Sequence, residues 1–374
     1  MEEASVSVRL NPFKGLAGPE GTRVPWSPYG RILQERPVFT LDPLFHAGCY
    51  YVQDSSAMYI GHLFRKLLGD YPSLRVLDLC AAPGGKTTDL AASLREAFGD
   101  AFVLVANEVM KARAGVLCDN VARWGDPNVV VTSVDPAAFA RLEGWFDVIV
   151  ADVPCSGEGM FRKDPRAREE WSPAVVELCA ARQKRILADV WPALRTGGFL
   201  LYSTCTYEPA ENDDNLAWAA ATLGGEILAP EAEFEEQGVR RTPHGHLLEA
   251  GVVPGEGQWA GALRKTAPQR STARAALEAL HPLRTGGVPA PKEGLPPDPD
   301  LALSIDFDSK QYPAVDVDRQ TALRYLHRDA LVLPQAAPGY NVISYLGHPL
   351  GFVKNIGSRC NNLLPKSRRI LMNV

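Results

Sequence analysis

Arg75-Val76-Leu77-Asp78-Leu79-Cys80-Ala81-Ala82-Pro83-Gly84-Gly85-Lys86 decides how this chain folds. A short apolar run ends in a turn of small residues, and from Lys86 to Ala97 the apolar positions recur at helical spacing. The same alternation continues downstream. Phe102 to Ala106, Asn128 to Thr132, Phe146 to Ala151 and Gly198 to Ser203 read as further strands, with Lys111 to Trp124 and Pro173 to Leu194 as helices between them. Short apolar runs alternating with longer amphipathic stretches predict an α/β class, a doubly wound parallel sheet covered by helices. A helix over Glu211 to Leu223 and a late strand over Gln258 to Lys265 complete this unit.

Ligands of such sheets bind beyond the carboxyl ends of the strands, which is where Cys80, Ala81, Ala82, Pro83, Gly84, Gly85 and Lys86 fall. Small residues let backbone approach a ligand closely, and the helix that follows offers free N–H groups to a carboxylate. The turn is neither a GxGxxG fingerprint nor a GxxxxGK[ST] loop, which speaks against nicotinamide and nucleoside triphosphate. Glu108 directly follows the second strand, placed to accept hydrogen bonds from ribose hydroxyls, and Asp135 follows the third, where an adenine amino group would lie. A turn, a Glu and an Asp on successive strand ends suit an adenosyl ligand.

The wider chain sets bounds. With 374 residues, 46% of them hydrophobic and 22% charged, it is long enough for a large globular domain and a smaller one. The start, Met1-Glu2-Glu3-Ala4-Ser5, has no signal-peptide character, and no run nears the roughly 18 apolar residues of a membrane span, so a cytoplasmic protein without membrane contact is expected; a monomer is the default, which nothing in the sequence decides. Seven scattered cysteines, with no Cys-x-x-Cys pair and no His-Cys cluster, predict free and mostly buried thiols and no metal; His244 and His246 read as loop residues. Trp171, Trp191 and Trp218 sit at helical positions and read as packing residues. A net charge of −5 opposes binding to a polyanion through the overall field. Basic residues must then act locally, as in the clusters Arg162, Lys163, Arg166, Arg168 and Lys354, Arg359, Lys366, Arg368, Arg369, whose plainer reading is a solvated face. Residues 1–70 form an N-terminal region, in which Ser7 to Phe13 reads as a strand and Asp54 to Leu68 as a helix capped by Asp54 or Ser55. The catalytic unit spans 71–267, a Pro- and Gly-rich linker 268–300, and a β-rich domain 301–374.

The chemistry lies at the fourth and fifth strand ends, Asp152-Val153-Pro154-Cys155-Ser156-Gly157-Glu158-Gly159 and Tyr202-Ser203-Thr204-Cys205-Thr206. A lone cysteine is usually a small core hydrophobe. These two stand in polar loops at strand ends, where catalytic groups collect. Carbon 5 of cytosine is too weak a nucleophile to take a methyl group from a sulfonium unaided, and a thiolate adding at carbon 6 makes it an enamine that can. Ring nitrogen 3 must be protonated or strongly hydrogen-bonded for that addition, a task for Asp152. A second cysteine can help release the product. Cys155 and Cys205 fit the two roles in either order. Arg162 and Lys163, just beyond the Cys155 loop, are placed to hold target phosphates while the base is flipped.

These stretches, with Met160-Phe161-Arg162-Lys163 and Leu77 to Lys86, closely resemble the Nop/Sun family of RNA cytosine-5 methyltransferases, in particular its bacterial RsmF-like branch acting on 16S ribosomal RNA. The likeness runs from about Asn11 to Lys265 and includes Thr40 to Asp54, which in the family joins an RNA-facing N-terminal region to the catalytic domain. It implies a Rossmann-like sheet that binds S-adenosylmethionine through Cys80 to Lys86, Glu108, Asp135 and Asp152. It makes Cys205 the nucleophile and Cys155 the residue of product release. The tail from Gly339 to Ile370 resembles a PUA-like domain. Compared with the family, the N-terminal region is shortened and only one C-terminal accessory domain fits. The implied partner is 16S ribosomal RNA or the small ribosomal subunit; tRNA or another RNA, and a non-catalytic ribosome-assembly factor, are the alternatives. An exocyclic-amine enzyme would carry [Asp/Asn]-Pro-Pro-[Tyr/Phe] where this chain has Asp152-Val153-Pro154-Cys155.

Overall fold

The computed structural model describes residues 5–69, 71–161, 168–169, 171–266, 295–308 and 310–372. The expected linker therefore lies almost wholly outside the described residues, as do Arg162, Lys163 and Arg166 of the first basic cluster.

The N-terminal unit is a four-stranded antiparallel sheet, β1 (Val6–Leu10), β2 (Thr22–Arg23), β3 (Gly30–Leu33) and β4 (Tyr50–Val52), in the order β2-β3-β1-β4. Only β1 was legible in the sequence, and it ends at Leu10 rather than Phe13 because Asn11 caps a 3-10 turn that begins at Pro12. The other strands are too short to show a period of two. A one-turn helix, α1 (Pro43–His46), is capped by Asp42, whose Oδ1 accepts from Leu44 N at 2.9 Å. Helix α2 covers Tyr59–Leu67, starting well after the expected caps. Asp54 is committed elsewhere: its Oδ1 accepts from Ser56 N at 3.0 Å, and its two oxygens accept from the distant Glu256 N at 3.3 and 3.1 Å.

The central sheet has β5 (Leu74–Asp78), β6 (Phe102–Asn107), β7 (Val129–Thr132), β8 (Phe146–Asp152) and β9 (Leu194–Thr204) as its parallel half, in the order β7-β6-β5-β8-β9. Beyond β9 it turns antiparallel, with β10 (Gly225–Ile227), β11 (Val239–Arg241), β12 (His246–Leu248) and β13 (Gln258–Lys265), the last lying directly against β9. Helices α3 (Gly85–Phe98), α4 (Lys111–Trp124), α5 (Pro173–Val190) and α6 (Asp213–Ala219) connect them. Alternate residues of each parallel strand enter two separate cores: Val76, Leu104, Val148 and Val150 pack on one face, Leu77, Val105, Ile149 and Leu200 on the other. Strand β9 begins earlier than expected, at Leu194, and α5 stops at Val190 because Pro192 has no N–H to continue the ladder, leaving a 3-10 turn over Trp191–Ala193. Trp191 is buried and Trp218 packs against the same core, as their helical spacing predicted. Helix α6 is shorter than the expected 211–223: it begins at Asp213 and gives way to a π turn over Ala220–Gly224.

The C-terminal unit contains β14 (Ala314–Asp316), β15 (Gly339–Tyr345), β16 (His348–Asn355) and β17 (Cys360–Asn362), together with a helix the β-rich reading missed, α7 (Arg319–Leu326). Asp318 caps α7 by accepting from Thr321 N at 2.7 Å, a local signal that was present in the sequence. This unit shares one core with the N-terminal sheet, where Val8, Leu33 and Tyr50 meet Val315, Leu323 and Ile343. It is also latched to the catalytic unit: Arg368 Nη1 lies 2.5 Å from Asp300 and Nε 3.5 Å from Asp119 on α4. One member of the second basic cluster is thus an internal ion-pair partner. Among the described residues no helix is long and apolar enough to cross a membrane.

Candidate active site

A cavity of about 390 Å³ opens at the carboxyl edge of the sheet, lined by Cys80, Ala81, Ala82, Pro83, Gly85 and Lys86 from the β5–α3 turn. Asp152, Gly159 and Cys205 from the next two strand ends line it too, and Glu256, Gly257 and Gln258 close one side. The N-terminal unit supplies the last wall with Tyr51, Gln53 and Asp54. The turn needs its glycines. Gly84 has φ 111, a left-handed conformation, and a Cβ on Gly85 would sit 3.3 Å from the Tyr51 ring.

Polar contacts fix each wall. Lys86 Nζ donates to Asp152 Oδ2 at 2.8 Å, while Asp152 Oδ1 accepts from Ser203 Oγ at 2.7 Å and Gln258 Nε2 at 3.1 Å. Gln258 Nε2 also donates to Thr204 O at 2.7 Å, so one side chain from β13 steadies both the carboxylate and the backbone before Cys205. Burial alone would lower the Lys86 pKa, but the Asp152 carboxylate outweighs it and holds the ammonium above its ordinary range. Asp78, at the end of β5, accepts from Thr87 Oγ1 at 2.7 Å, and its burial pushes the carboxyl up to about 7.

The two expected cysteines meet, with Cys155 Sγ 3.1 Å from Cys205 Sγ. Contact with the Cys155 thiol pulls the Cys205 pKa down and the nearby Lys86 ammonium adds to this, against opposition from burial and Asp152. The same contact, followed by burial, drives Cys155 up. The contact thus acts in opposite directions on the two thiols, favouring Cys205 over Cys155 as the sulfur that loses its proton. Of the seven cysteines, three are buried and four, including this pair, are half-buried, so the expectation of mostly buried thiols is corrected. A further layer positions the Cys155 loop. Ser156 N donates to Glu211 Oε2 at 3.1 Å, Gln183 Nε2 donates to Glu211 at 2.6 Å and to Pro154 O at 3.0 Å, and Glu158 Oε2 accepts from Thr206 Oγ1 at 2.8 Å. None of Ser203, Gln258, Glu211, Gln183 or Tyr51 was given a role from the sequence, although Ser203 and Tyr51 lie in stretches that carry the resemblance. Each acts through a partner remote in the chain, and only Ser203 and Gln258 lie on strands that the sequence predicts.

Two expected ligands stand outside the cavity. Glu108 is buried, accepts from Met110 N at 2.9 Å and pairs with Arg113 at 3.2 Å; Arg113 in turn donates to Ala82 O at 2.8 Å. Asp135 is exposed and caps a 3-10 turn through Ala137 N at 3.0 Å. Cys80 does line the cavity, and burial raises its thiol pKa, in contrast to Cys205.

The N-terminal wall is held by Arg9, which is fully buried. It donates to Gln53 Oε1 at 2.9 Å and to Gly85 O at 3.2 Å, and stacks over Trp124 at 4.6 Å. Arg9→Met is expected to cost about 3–5 kcal/mol, because it strips these acceptors and the nearby Asp89 of their partner inside the protein. Urea unfolding checks this, and a loss below about 1 kcal/mol would show that the wall does not depend on Arg9.

A family model described as 16S rRNA methyltransferase RsmB/F matches residues 67–241. The N-terminal domain of 16S rRNA methyltransferase RsmF matches residues 1–55, and the methyltransferase RsmF PUA domain matches 312–370. The chain is 30% identical to ribosomal RNA small subunit methyltransferase F of Enterobacter sp. (strain 638), over 97% of this chain and 88% of that protein. To the protein of the same name from Cronobacter sakazakii it is 37% identical over 70% of this chain, which spans only 56% of the relative. Among solved structures, a methyltransferase homolog protein from Pyrococcus horikoshii matches at TM-score 0.59 and 28% identity, over 71% of this chain and 87% of that one. NSun6 from Pyrococcus horikoshii with SFG, at 24% identity and TM-score 0.52 over 64% of this chain and 58% of that one, shares the fold.

Proposed function

Because the chain belongs to the RsmF family of 16S rRNA methyltransferases, we propose that it methylates carbon 5 of cytosine in 16S ribosomal RNA, through a covalent bond from Cys205 to carbon 6. The observation that carries this reading is the contact of the Cys155 sulfur with that of Cys205, which lines the cavity together with the Lys86–Asp152 pair.

S-adenosylmethionine suits the remaining walls and supplies the electrophilic methyl group. The described lining residues include three carboxylates, Asp54, Asp152 and Glu256, against one ammonium, Lys86, a balance that favours a cationic sulfonium ligand. The free N–H groups at the start of α3 suit its carboxylate. The reading also gives Glu108 the ribose and Asp135 the adenine; both lie beyond the cavity's described lining, and the support for them is their position after β6 and β7.

The protein's own steps follow from the geometry. Cys205 adds as thiolate to carbon 6 while the donor of the Lys86–Asp152 pair faces ring nitrogen 3, and the electron pair released at carbon 5 takes the methyl group. Once Cys205 is held in the C6–S bond, Cys155 loses its proton to solvent and, as thiolate, takes the carbon 5 proton, whose electron pair re-forms the C5–C6 double bond. The C6–S bond breaks and Cys205 leaves as thiolate. Labelled S-adenosylmethionine supplied with naked 16S rRNA, with small subunits and with tRNA tests the reading: label recovered from 16S rRNA as 5-methylcytidine after nuclease digestion is the expected result. Label in tRNA alone would move the substrate, and cofactor binding without transfer to any RNA would favour an assembly factor.

A further inference from the structure

We propose that Gln53 is a cofactor-binding residue: its side-chain N–H donates to the methionine carboxylate of S-adenosylmethionine, so that the N-terminal unit completes the cofactor site. This rests on the cofactor reading above.

Gln53 follows directly on β4, and its own backbone is fixed, since its N donates to Ser7 O at 3.1 Å and its O accepts from Ser7 Oγ at 2.6 Å. The side chain is 6% exposed and lines the cavity. Its orientation is decided by Arg9, which carries only donors and reaches Gln53 Oε1 at 2.9 Å; the amide oxygen therefore faces Arg9 and the NH2 group faces away. Arg9 itself cannot turn aside, being fully buried and tied to Gly85 O at 3.2 Å and Thr88 O at 3.4 Å. Gln53 Nε2 is left as a buried donor with no partner. A buried amide of this kind costs on the order of 1–3 kcal/mol unless something supplies an acceptor.

The acceptor is identified by what surrounds the amide. Gln53 Cγ and Cδ lie 3.6 Å from where a Cβ of Gly85 would stand, so the side chain covers the first residue of α3. The opening N–H groups of that 14-residue helix have no intrahelical acceptor and face the same region. Among the described residues the one ammonium lining the cavity, Lys86, is already held by Asp152. A ligand carboxylate thus has to be met by neutral N–H groups, and the helix start and Gln53 Nε2 supply them side by side. The target base, by contrast, must lie against Cys205 and Asp152.

Gln53→Glu is the discriminating variant, because it keeps the length and the acceptor for Arg9 while replacing the free donor by an oxygen. Calorimetric titration with S-adenosylmethionine and with 5′-methylthioadenosine, which shares the adenosyl group and sulfur but has no carboxylate, reads the contact. The expected result is a Kd for S-adenosylmethionine raised at least about tenfold with the Kd for 5′-methylthioadenosine unchanged. Equal weakening of both ligands, or of neither, overturns the proposal, as does unchanged cofactor affinity with impaired turnover on RNA, which would assign the amide to the base. If Gln53→Glu fails to fold, Gln53→Met carries the same comparison. A wild-type protein that binds neither ligand would instead remove the cofactor reading on which the proposal stands.

Discussion

Cys205→Ala is expected to lose methyl transfer to RNA by about 10⁴-fold or more, while Cys155→Ala is expected to keep the first half of the reaction and stall in the second. The difference follows from the asymmetry of the pair. Of the two cysteines lining the cavity, Cys205 has its pKa lowered and Cys80 has it raised, so Cys205 is the group that adds to carbon 6 in this reading. Cys155 touches Cys205 at 3.1 Å but does not line the cavity, which suits a group that acts on the proton removed at the end. A protein–RNA adduct resistant to denaturing electrophoresis should therefore accumulate with Cys155→Ala and be absent with Cys205→Ala. The reverse pattern would exchange the two roles, and full activity of Cys205→Ala would remove the covalent mechanism.

Lys86→Met is expected to cut turnover by on the order of 10²-fold or more and to move the acidic limb of the pH–rate profile upward. The ammonium lowers the Cys205 pKa and is the direct partner of Asp152. Removing it takes away one influence that favours the thiolate and leaves Asp152, which opposes it, uncompensated. The sign is then fixed: the active thiolate is present above the Cys205 pKa and lost as pH falls through it, so a raised pKa shifts that loss to higher pH. Stopped-flow adduct formation measured across pH reads the limb directly. An unchanged limb would mean that Lys86 does not act on Cys205, even if turnover falls.

The unequal legibility of the site has a physical basis. Cys80 to Lys86, Asp152, Cys155 and Cys205 stood out because each lies at the end of a parallel strand, and a strand buried on both faces writes itself as an unbroken apolar run whose end can be read to within a residue or two. Ser203 and Gln258 were invisible as site residues although their strands were expected, because nothing local distinguishes a hydroxyl or amide that clamps a carboxylate from one that meets solvent. Glu108 and Asp135 show the converse. Their positions were right for the fold, yet the pairing of Glu108 with Arg113 and the capping of a turn by Asp135 are made by neighbours whose side-chain directions no spacing rule supplies.

The sequence by itself determined the parallel sheet, its helices and the strand ends that carry the chemistry, because those depend on periodicity within a single segment. Only the tertiary structure brings the two cysteines together, in a 3.1 Å contact across 50 residues with the Lys86–Asp152 pair beside it. It also decided that the N-terminal unit is a wall of the cavity, through Arg9 and Gln53, which lie 44 residues apart and meet only when β1 and β4 pair. Hydrophobic pattern is a local property and survives in the one-dimensional sequence; a pKa, a clamp and an unpaired donor belong to charges and hydrogen-bond partners that folding alone brings together.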